Sequence, residues 1–238
     1  TDYRLSGKSA VGAAFGTMRS STTMAADAGK QDASGYSFVA YGSFAPSQKT
    51  YVDIALTLGN NQFDLQRADG VGGTAVADTS GSGLGLSLTA GYDIRSGGWV
   101  LTPYGRVEYL NAKVKAYAER GIDGIAVSDQ SMTSSLMTVG GEIQYIASTS
   151  WGIFVPHLRV EFQNQSQSAA DATAQAVGSG VQLTVSPDLN KDKSFGNMAV
   201  GASAQFGRGK TGFLDVEKTF SKENIKDQRI TAGFKVEF

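Results

Sequence analysis

The chain of 238 residues contains no cysteine, one histidine and four prolines. Without cysteine it can form neither a disulfide nor a thiolate metal site, and the single histidine, His157, excludes a histidine cluster for zinc or iron. No segment approaches the roughly 18 to 20 continuous apolar residues of a transmembrane helix, which on its own is typical of a soluble protein. The opening TDYRLSGKS lacks the basic start and apolar core of a signal peptide, so Thr1 is expected to begin a mature product or an excised fragment.

An excess of positive charge is also missing. The chain carries 21 basic and 22 acidic residues, which give a formal net charge of −1. Nucleic-acid binding needs a basic electrostatic footprint, so the composition predicts no nucleic-acid partner. The length allows one large β domain or two small ones.

What the sequence does have is alternation of apolar and polar residues with a period of two. From residue 99 the odd positions Trp99, Leu101 and Tyr109 are apolar, whereas the even positions include Arg106 and Glu108. Segments 151–166 and 229–238 alternate in the same way, and seven further segments show a similar pattern. Such alternation is typical of β-strands with one apolar and one polar face. We therefore predict about ten strands.

The connections between these strands alternate strictly between short and long. Long polar links are predicted at about residues 23–33, 67–82, 117–130 and 167–193 and, shorter, near Lys222, with tight turns between them. An antiparallel meander with short turns at one end and long loops at the other is typical of an up-and-down outer-membrane β-barrel. The alternative, a soluble sandwich, would need crossing connections and two apolar inner faces. The sequence favours the all-β transmembrane barrel.

In such a barrel the polar rows face the lumen, because a Lys or Arg at a lipid-facing midplane position costs about 2 to 4 kcal/mol. The charged side chains are predicted to form a network that keeps the lumen hydrated, with paired catalytic carboxylates as the alternative. The predicted lumen-facing network consists of Asp53, Asp93, Arg106, Glu108, Glu142, His157, Arg159, Glu161, Asp215, Glu217, Lys235 and Glu237.

His157 is the main candidate for catalysis, since it shares its strand face with Arg159 and Glu161. It is either a proton-transfer centre or a hydrogen-bonded lumen histidine. Catalysis would also require a nucleophile or an activated water. The chain has no G-x-S-x-G motif, and Ser82 and Ser179 lie in glycine-rich segments that are typical of loops. We predict no catalytic residue and no cofactor.

One segment resembles the start of a calcium-binding loop. Asp188, Asn190 and Asp192 have the spacing of its first ligands. Lys193 stands where that loop needs glycine, and Ala199 where it needs a bidentate glutamate. The segment is predicted to be a solvated loop, and no metal site is expected.

Several glycines fall on the predicted inner face. A glycine there allows an aromatic side chain of a neighbouring strand to lie over the backbone and leaves space in the lumen; alternatively, it only permits tight curvature. The sequence leaves both interpretations open. These residues are Gly12, Gly16, Gly85, Gly91, Gly140 and Gly201.

Three internal segments resemble the autotransporter (type V secretion) β-domain. They are WVLTPYGRVEYLNAKVKAYAERG at 99–121, SAVGAAFGTMRSS at 9–21 and SGYSFVAYGSF at 34–44. The terminal TAGFKVEF is similar to the assembly signal of outer-membrane barrels, which ends on an aromatic residue. The residues that carry this signal are Thr231, Gly233, Phe234, Val236 and Phe238.

The resemblance implies one outer-membrane barrel domain over residues 1–238 that supports secretion of an upstream passenger domain to the bacterial cell surface, without enzymatic activity. It also implies three partners: the passenger in the same precursor, the barrel assembly machinery, and lipid or lipopolysaccharide. A ten-stranded outer-membrane hydrolase acting on protein or lipid, and a passive porin or adhesin, are the alternatives.

The complete family domain is expected to have twelve strands preceded by a lumen helix, whereas this chain begins at what resembles the third strand. Either two strands and the helix precede it or the barrel closes with ten strands. The resemblance does not locate the family's self-cleavage site in this sequence. Asn60 and Asn61 form an Asn-Asn pair at a predicted strand end, and we do not assign cleavage to them.

Deletion of Phe238 is expected to lower insertion into the outer membrane, because the resemblance makes the last strand the segment that the assembly machinery recognises. Its unpaired edge is suited to pairing with another strand. The measurement is the amount of heat-modifiable, folded protein in outer-membrane fractions. Phe238→Tyr, which keeps an aromatic terminus, is the matched control. Normal assembly of the truncated protein in cells would refute the role.

Overall fold

The computed structural model describes residues 1–24, 28–68, 72–178, 180–186, 193–206, 209–221 and 227–236. These residues form strands joined by turns, and among them no helix is long and apolar enough to cross a membrane. The strands are β1 (Asp2–Ser6), β2 (Ser9–Thr23), β3 (Gly29–Phe44), β4 (Thr50–Ala68), β5 (Thr74–Tyr92), β6 (Ile94–Ser96), β7 (Trp99–Val114), β8 (Tyr117–Ala118), β9 (Ile125–Val127), β10 (Gln130–Tyr145), β11 (Ala147–Thr149), β12 (Gly152–Ala169), β13 (Ala172–Ala176), β14 (Gln182–Val185), β15 (Ser194–Phe206), β16 (Lys210–Phe220) and β17 (Gln228–Val236).

One antiparallel sheet contains most of the chain. Its order is β1-β2-β3-β4-β5-β7-β10-β12-β15-β16-β17, and the short strands β6 and β11 pair with β7 and β12 beside the turns. Each long strand therefore pairs with the next one along the chain, which confirms the predicted up-and-down meander. Ten of these strands correspond to the predicted segments, and β1 is an addition at the start of the path.

The two faces of the sheet differ as the alternation predicts. On β4 the outward side chains Ile54, Leu56 and Leu58 are exposed, while the intervening Asp53 and Thr57 are half-buried. In a barrel this exposed apolar face is the surface that contacts lipid.

Aromatic side chains border the apolar band at both ends. Near the short turns the ring centroids of Trp99 and Tyr145 lie 4.9 Å apart. Towards the long loops those of Phe15 and Tyr36 lie 6.4 Å apart. Aromatic girdles of this kind mark the two membrane interfaces, and the short turns mark the periplasmic side.

The sheet curls until its first and last strands approach each other. Lys235 Nζ on β17 lies 3.8 Å from Asp2 Oδ2 on β1, although no backbone pairing joins these two strands within the described residues. Contact between side chains on the first and last of eleven strands requires a strongly curved sheet around a lumen.

The predicted loops 23–33 and 67–82 are wrong in extent. Strand β3 begins at Gly29, β4 continues to Ala68 and β5 begins at Thr74, so the hairpins extend well past the apolar band. Their outward side chains are mostly polar there, so the alternation of apolar and polar residues that predicts a strand stops. The backbone ladder between β4 and β5 nevertheless continues without interruption into water.

Two of the predicted loops contain a second sheet. Its order is β14-β13-β9-β8, formed from segments that the sequence placed in loops 117–130 and 167–193. Two backbone hydrogen bonds between Val76 and Arg120, of 2.9 and 2.8 Å, tie this sheet to the extracellular end of β5. No alternation longer than a few residues marks these strands in the sequence, because each has only two to five residues.

The inner-face glycines divide into three groups. A Cβ added at Gly12, Gly91 or Gly140 would meet the ring of Tyr41, Tyr51 or Tyr104, respectively. At Gly201 it would meet the side chains of His157 and Asp215. At Gly16 and Gly85 its nearest neighbours would be Ser37 and Thr57, at 3.2 and 3.4 Å. Side chains therefore lie over the backbone at the first two groups.

Gly91→Ala is expected to destabilise the folded barrel by about 1 to 3 kcal/mol, because the added methyl overlaps the Tyr51 ring. The measurement is the urea midpoint of the loss of the folded, heat-modifiable form. Gly85→Ala is the matched control, since its methyl makes an ordinary contact with Thr57 at 3.4 Å. Equal midpoints for the two variants would contradict the tyrosine-over-glycine arrangement.

Candidate functional site

The candidate site is the polar inner wall of β7, β10, β12, β15 and β16. The strand register aligns inward positions in rows, so that Arg106 lies opposite Thr138, and Gly140 lies opposite Glu161. Further along, Gly201 lies between His157 and Asp215. Residues far apart in sequence therefore meet on one surface.

Glu161 is the centre of this wall, with 2% of its surface exposed. Its carboxylate accepts hydrogen bonds from the Tyr104 hydroxyl, from Arg106 NH2 at 3.1 Å and from Gln163 Nε2 at 2.9 Å. Arg159 Nε lies 3.8 Å from Glu161 Oε1. Two guanidinium groups and two neutral donors thus surround the buried carboxylate.

Two further pairs extend the wall across β15. Arg159 NH2 donates to Glu217 Oε2 at 2.7 Å, and His157 Nε2 donates to Asp215 Oδ1 at the same distance. Both bonds join β12 to β16 and pass over small residues of the intervening strand, Ala199 and Gly201. Because Arg159 contacts both Glu161 and Glu217, the first of these pairs belongs to the Glu161 network.

The other predicted network residues lie at the margins of the wall. Arg106 Nε lies 3.1 Å from Glu108 Oε2, an ion pair whose geometry does not make a hydrogen bond. Asp93 accepts from Thr102 Oγ1 and from Arg95 NH2, both at 2.9 Å, near the periplasmic turns.

Asp53 and Glu142 are half-buried on the inner face, also towards the periplasmic end. Lys235 faces Asp2 where the edges of the sheet approach. Among the predicted assembly-signal residues, Thr231, Phe234 and Val236 are exposed on β17 and Gly233 is half-buried. The sequence also singled out residues that lie outside the described ranges: Ser179, Asp188, Asn190, Asp192, Glu237 and Phe238.

Sequence reasoning missed an ion pair at the extracellular mouth. Arg67 on β4 binds Glu119 with NH2–Oε2 at 2.6 Å and Nε–Oε1 at 3.1 Å, and it also donates to the Asp123 carbonyl at 2.7 Å. The Glu119 side chain is only 6% exposed. Burial, together with this carboxylate, raises the pKa of the neighbouring Tyr117 hydroxyl. Both partners lay in predicted loops, where no alternation indicated a facing pair.

The hydrogen bonds and ion pairs of the wall fix its polar side chains in position. Within the described chain, His157 hydrogen-bonds to the Asp215 carboxylate and to no hydroxyl. A base and a carboxylate alone do not form a nucleophilic site. The arrangement stabilises charges on a curved sheet by pairing them with one another.

Comparisons with known proteins agree with this architecture. The autotransporter β-domain profile matches residues 1–217. The translocator domain of the autotransporter NalP from Neisseria meningitidis is similar with a TM-score of 0.79 and 16% identity, covering 100% of this chain and 78% of that one. The β domain of the Bordetella autotransporter BrkA is similar with a TM-score of 0.70 and 19% identity, covering 100% and 86%. No curated protein sequence matches. The chain belongs to the autotransporter β-domain family, and it is an outer-membrane translocator barrel that supports secretion of an upstream passenger domain.

Proposed function

We propose that the inner wall centred on Glu161 is the surface along which the passenger polypeptide crosses the outer membrane, and that residues 1–238 act as one non-catalytic barrel domain. The observation that carries the proposal is the mutual pairing of the wall's charges. Glu161 has two guanidinium neighbours, Arg159 also binds Glu217, and His157 binds Asp215.

Paired charges suit a surface that a chain must pass. An unpaired carboxylate or guanidinium would form strong charge-assisted bonds with a passing polypeptide and hold it. A wall of apolar side chains would instead hold apolar passenger segments and exclude water. A polar wall whose groups are already paired remains hydrated and binds neither class of segment tightly.

Hydrolysis is the second candidate because of the pair formed by His157 and Asp215. A histidine oriented by a carboxylate is the base of many hydrolases. The pair lies on the inner wall, with Asp215 opposite Gly201, and its bond passes over one intervening strand, β15. We propose that it joins β12 to β16 and does not catalyse a reaction.

His157→Asn is expected to slow passenger secretion per folded barrel by no more than about twofold, because the Asp215 carboxylate that loses its imidazole partner is partly exposed and stays hydrated. The measurement is passenger exposed on the cell surface, divided by the amount of folded barrel. Purified wild-type protein is also assayed for peptide and lipid cleavage. If the wild type cleaves a peptide or a lipid and His157→Asn does not, the result would support the hydrolase and overturn the proposal.

Among partners, the passenger in the same precursor follows from the family. We add the barrel assembly machinery as a partner that pairs with β17. This strand pairs with β16 on one side, and most of its side chains are exposed. The other edge of β17 has no backbone partner among the described residues, and such an edge can accept a further strand.

Glu161→Gln is the direct test of the wall. The variant leaves Arg106 without its buried carboxylate and Arg159 with only Glu217, and loss of one member of a buried pair costs about 3 to 5 kcal/mol. We expect a lower urea midpoint and a several-fold slower appearance of the passenger on the cell surface per folded barrel. Asp171→Asn, the same chemical change at an exposed position, is the control.

The two readouts separate stability from transport. A lower midpoint with unchanged transport per folded barrel would limit Glu161 to a structural role and contradict the proposed path. Replacing Arg106 with Gln in the same chain is expected to restore part of the loss, since it removes a cation that has lost its buried partner and keeps only the more exposed Glu108.

A further inference from the structure

The outward face of β2, β3, β4 and β5 carries a graded series of side chains at its extracellular end. Because the four strands pair in register, residues opposite one another form rows. The last apolar row is Phe15, Phe38, Leu58 and Leu84. The next row is Thr17, Tyr36, Asn60 and Ser82. The third is Arg19, Ser34, Gln62 and Ser80.

These rows locate the membrane boundary on this side of the barrel. Consecutive outward rows are about 6.8 Å apart, since they are separated by two residues of strand. The face changes from leucine and phenylalanine to amide, hydroxyl and guanidinium groups within two such steps. The rings of Phe15 and Tyr36 lie at the change. The polar rows therefore stand beside the headgroups of the outer leaflet.

A groove of about 710 Å³ lies along this boundary. Its lining includes Arg19, Ser34, Tyr36, Asn60 and Gln62. Amides and hydroxyls both donate and accept hydrogen bonds, as the hydroxyl groups of a sugar require. A guanidinium presents a planar fork of donors that matches phosphate.

Arg19 is available for an external anion. It is exposed, and no carboxylate lies within ion-pair distance of it among the residues described. The nearest acidic row has cations of its own, since Asp32 binds Lys30 at 2.6 Å and Asp78 binds Arg120 at 3.0 Å. Asp64 lies between Asp32 and Asp78, one row further from the bilayer than Arg19. Its carboxylate can accept hydrogen bonds from the hydroxyl groups of a sugar.

We propose that this groove binds the phosphorylated sugar headgroup of an outer-leaflet glycolipid. The phosphate lies on Arg19, and sugar hydroxyls contact Asn60 and Gln62. The occupant is a lipid because the apolar row immediately below receives its acyl chains, and it is anionic because the groove offers an exposed cation. This site is separate from the lumen, and it holds whether or not the inner wall is the translocation path.

The test uses protein extracted from outer membranes in mild detergent and titrated with purified diphosphorylated lipid A, with bound lipid counted by native mass spectrometry. Arg19→Gln is expected to weaken binding about tenfold, as expected for one charge-assisted contact. Lys49→Gln, the same change at an exposed position on the periplasmic side, is expected to bind like the wild type. Gln62→Ala tests the sugar contact and is expected to weaken binding several-fold.

A dephosphorylated form of the same lipid is the second arm. Wild type and Arg19→Gln are expected to bind it equally, because the phosphate that distinguishes them is absent. Equal binding of the phosphorylated lipid by wild type and Arg19→Gln would overturn the proposal. So would equal weakening by Lys49→Gln, which would show a general charge effect. Heat-modifiable mobility of each variant confirms that the barrel is folded before titration.

Discussion

Side chains that bond across an intervening strand are the interaction on which the inner wall depends. Neighbouring strands lie about 4.8 Å apart, so a side chain must reach over roughly twice that distance to bond to the second strand. Only a small residue on the middle strand leaves that path open. Tyr104 reaches Glu161 over Gly140, and His157 reaches Asp215 over Gly201.

The same arrangement recurs outside the centre of the wall. Arg159 binds Glu217 over Ala199, which is 1% exposed beneath the pair. At the extracellular mouth, Arg67 lies opposite Ala75, also 1% exposed, and binds Glu119 beyond it. Each of the three bridges on the inner wall locks three strands together on one face. The inner wall is consequently a packed layer of polar side chains, and the carboxylates at its centre, Glu161, Asp215 and Glu217, already have partners.

Much of this fold could be predicted from the sequence, because the rule behind it is local. A charge at a lipid-facing position is costly, so Asp53 and Glu161 had to face inward. The positions of such charges then show which alternate residues of each strand face the lumen. The bridges themselves could not be predicted. Tyr104 and Glu161 are 57 residues apart, and their contact depends on the register of three strands at once. The strands beyond the apolar band also escaped prediction, because Gln62 and Gln66 are polar where the ladder continues.

The length of β4 and β5 has a consequence for the cell surface. Each has 19 residues, whereas a tilted strand needs about 9 to 11 to cross the hydrocarbon core. The excess residues carry the β4–β5 hairpin beyond the membrane on the extracellular side, where backbone hydrogen bonds between Val76 and Arg120 tie it to the second sheet. A macromolecule approaching the bacterium meets this hairpin before it meets the bilayer. The domain therefore sets a standoff distance between the membrane and whatever is displayed above it.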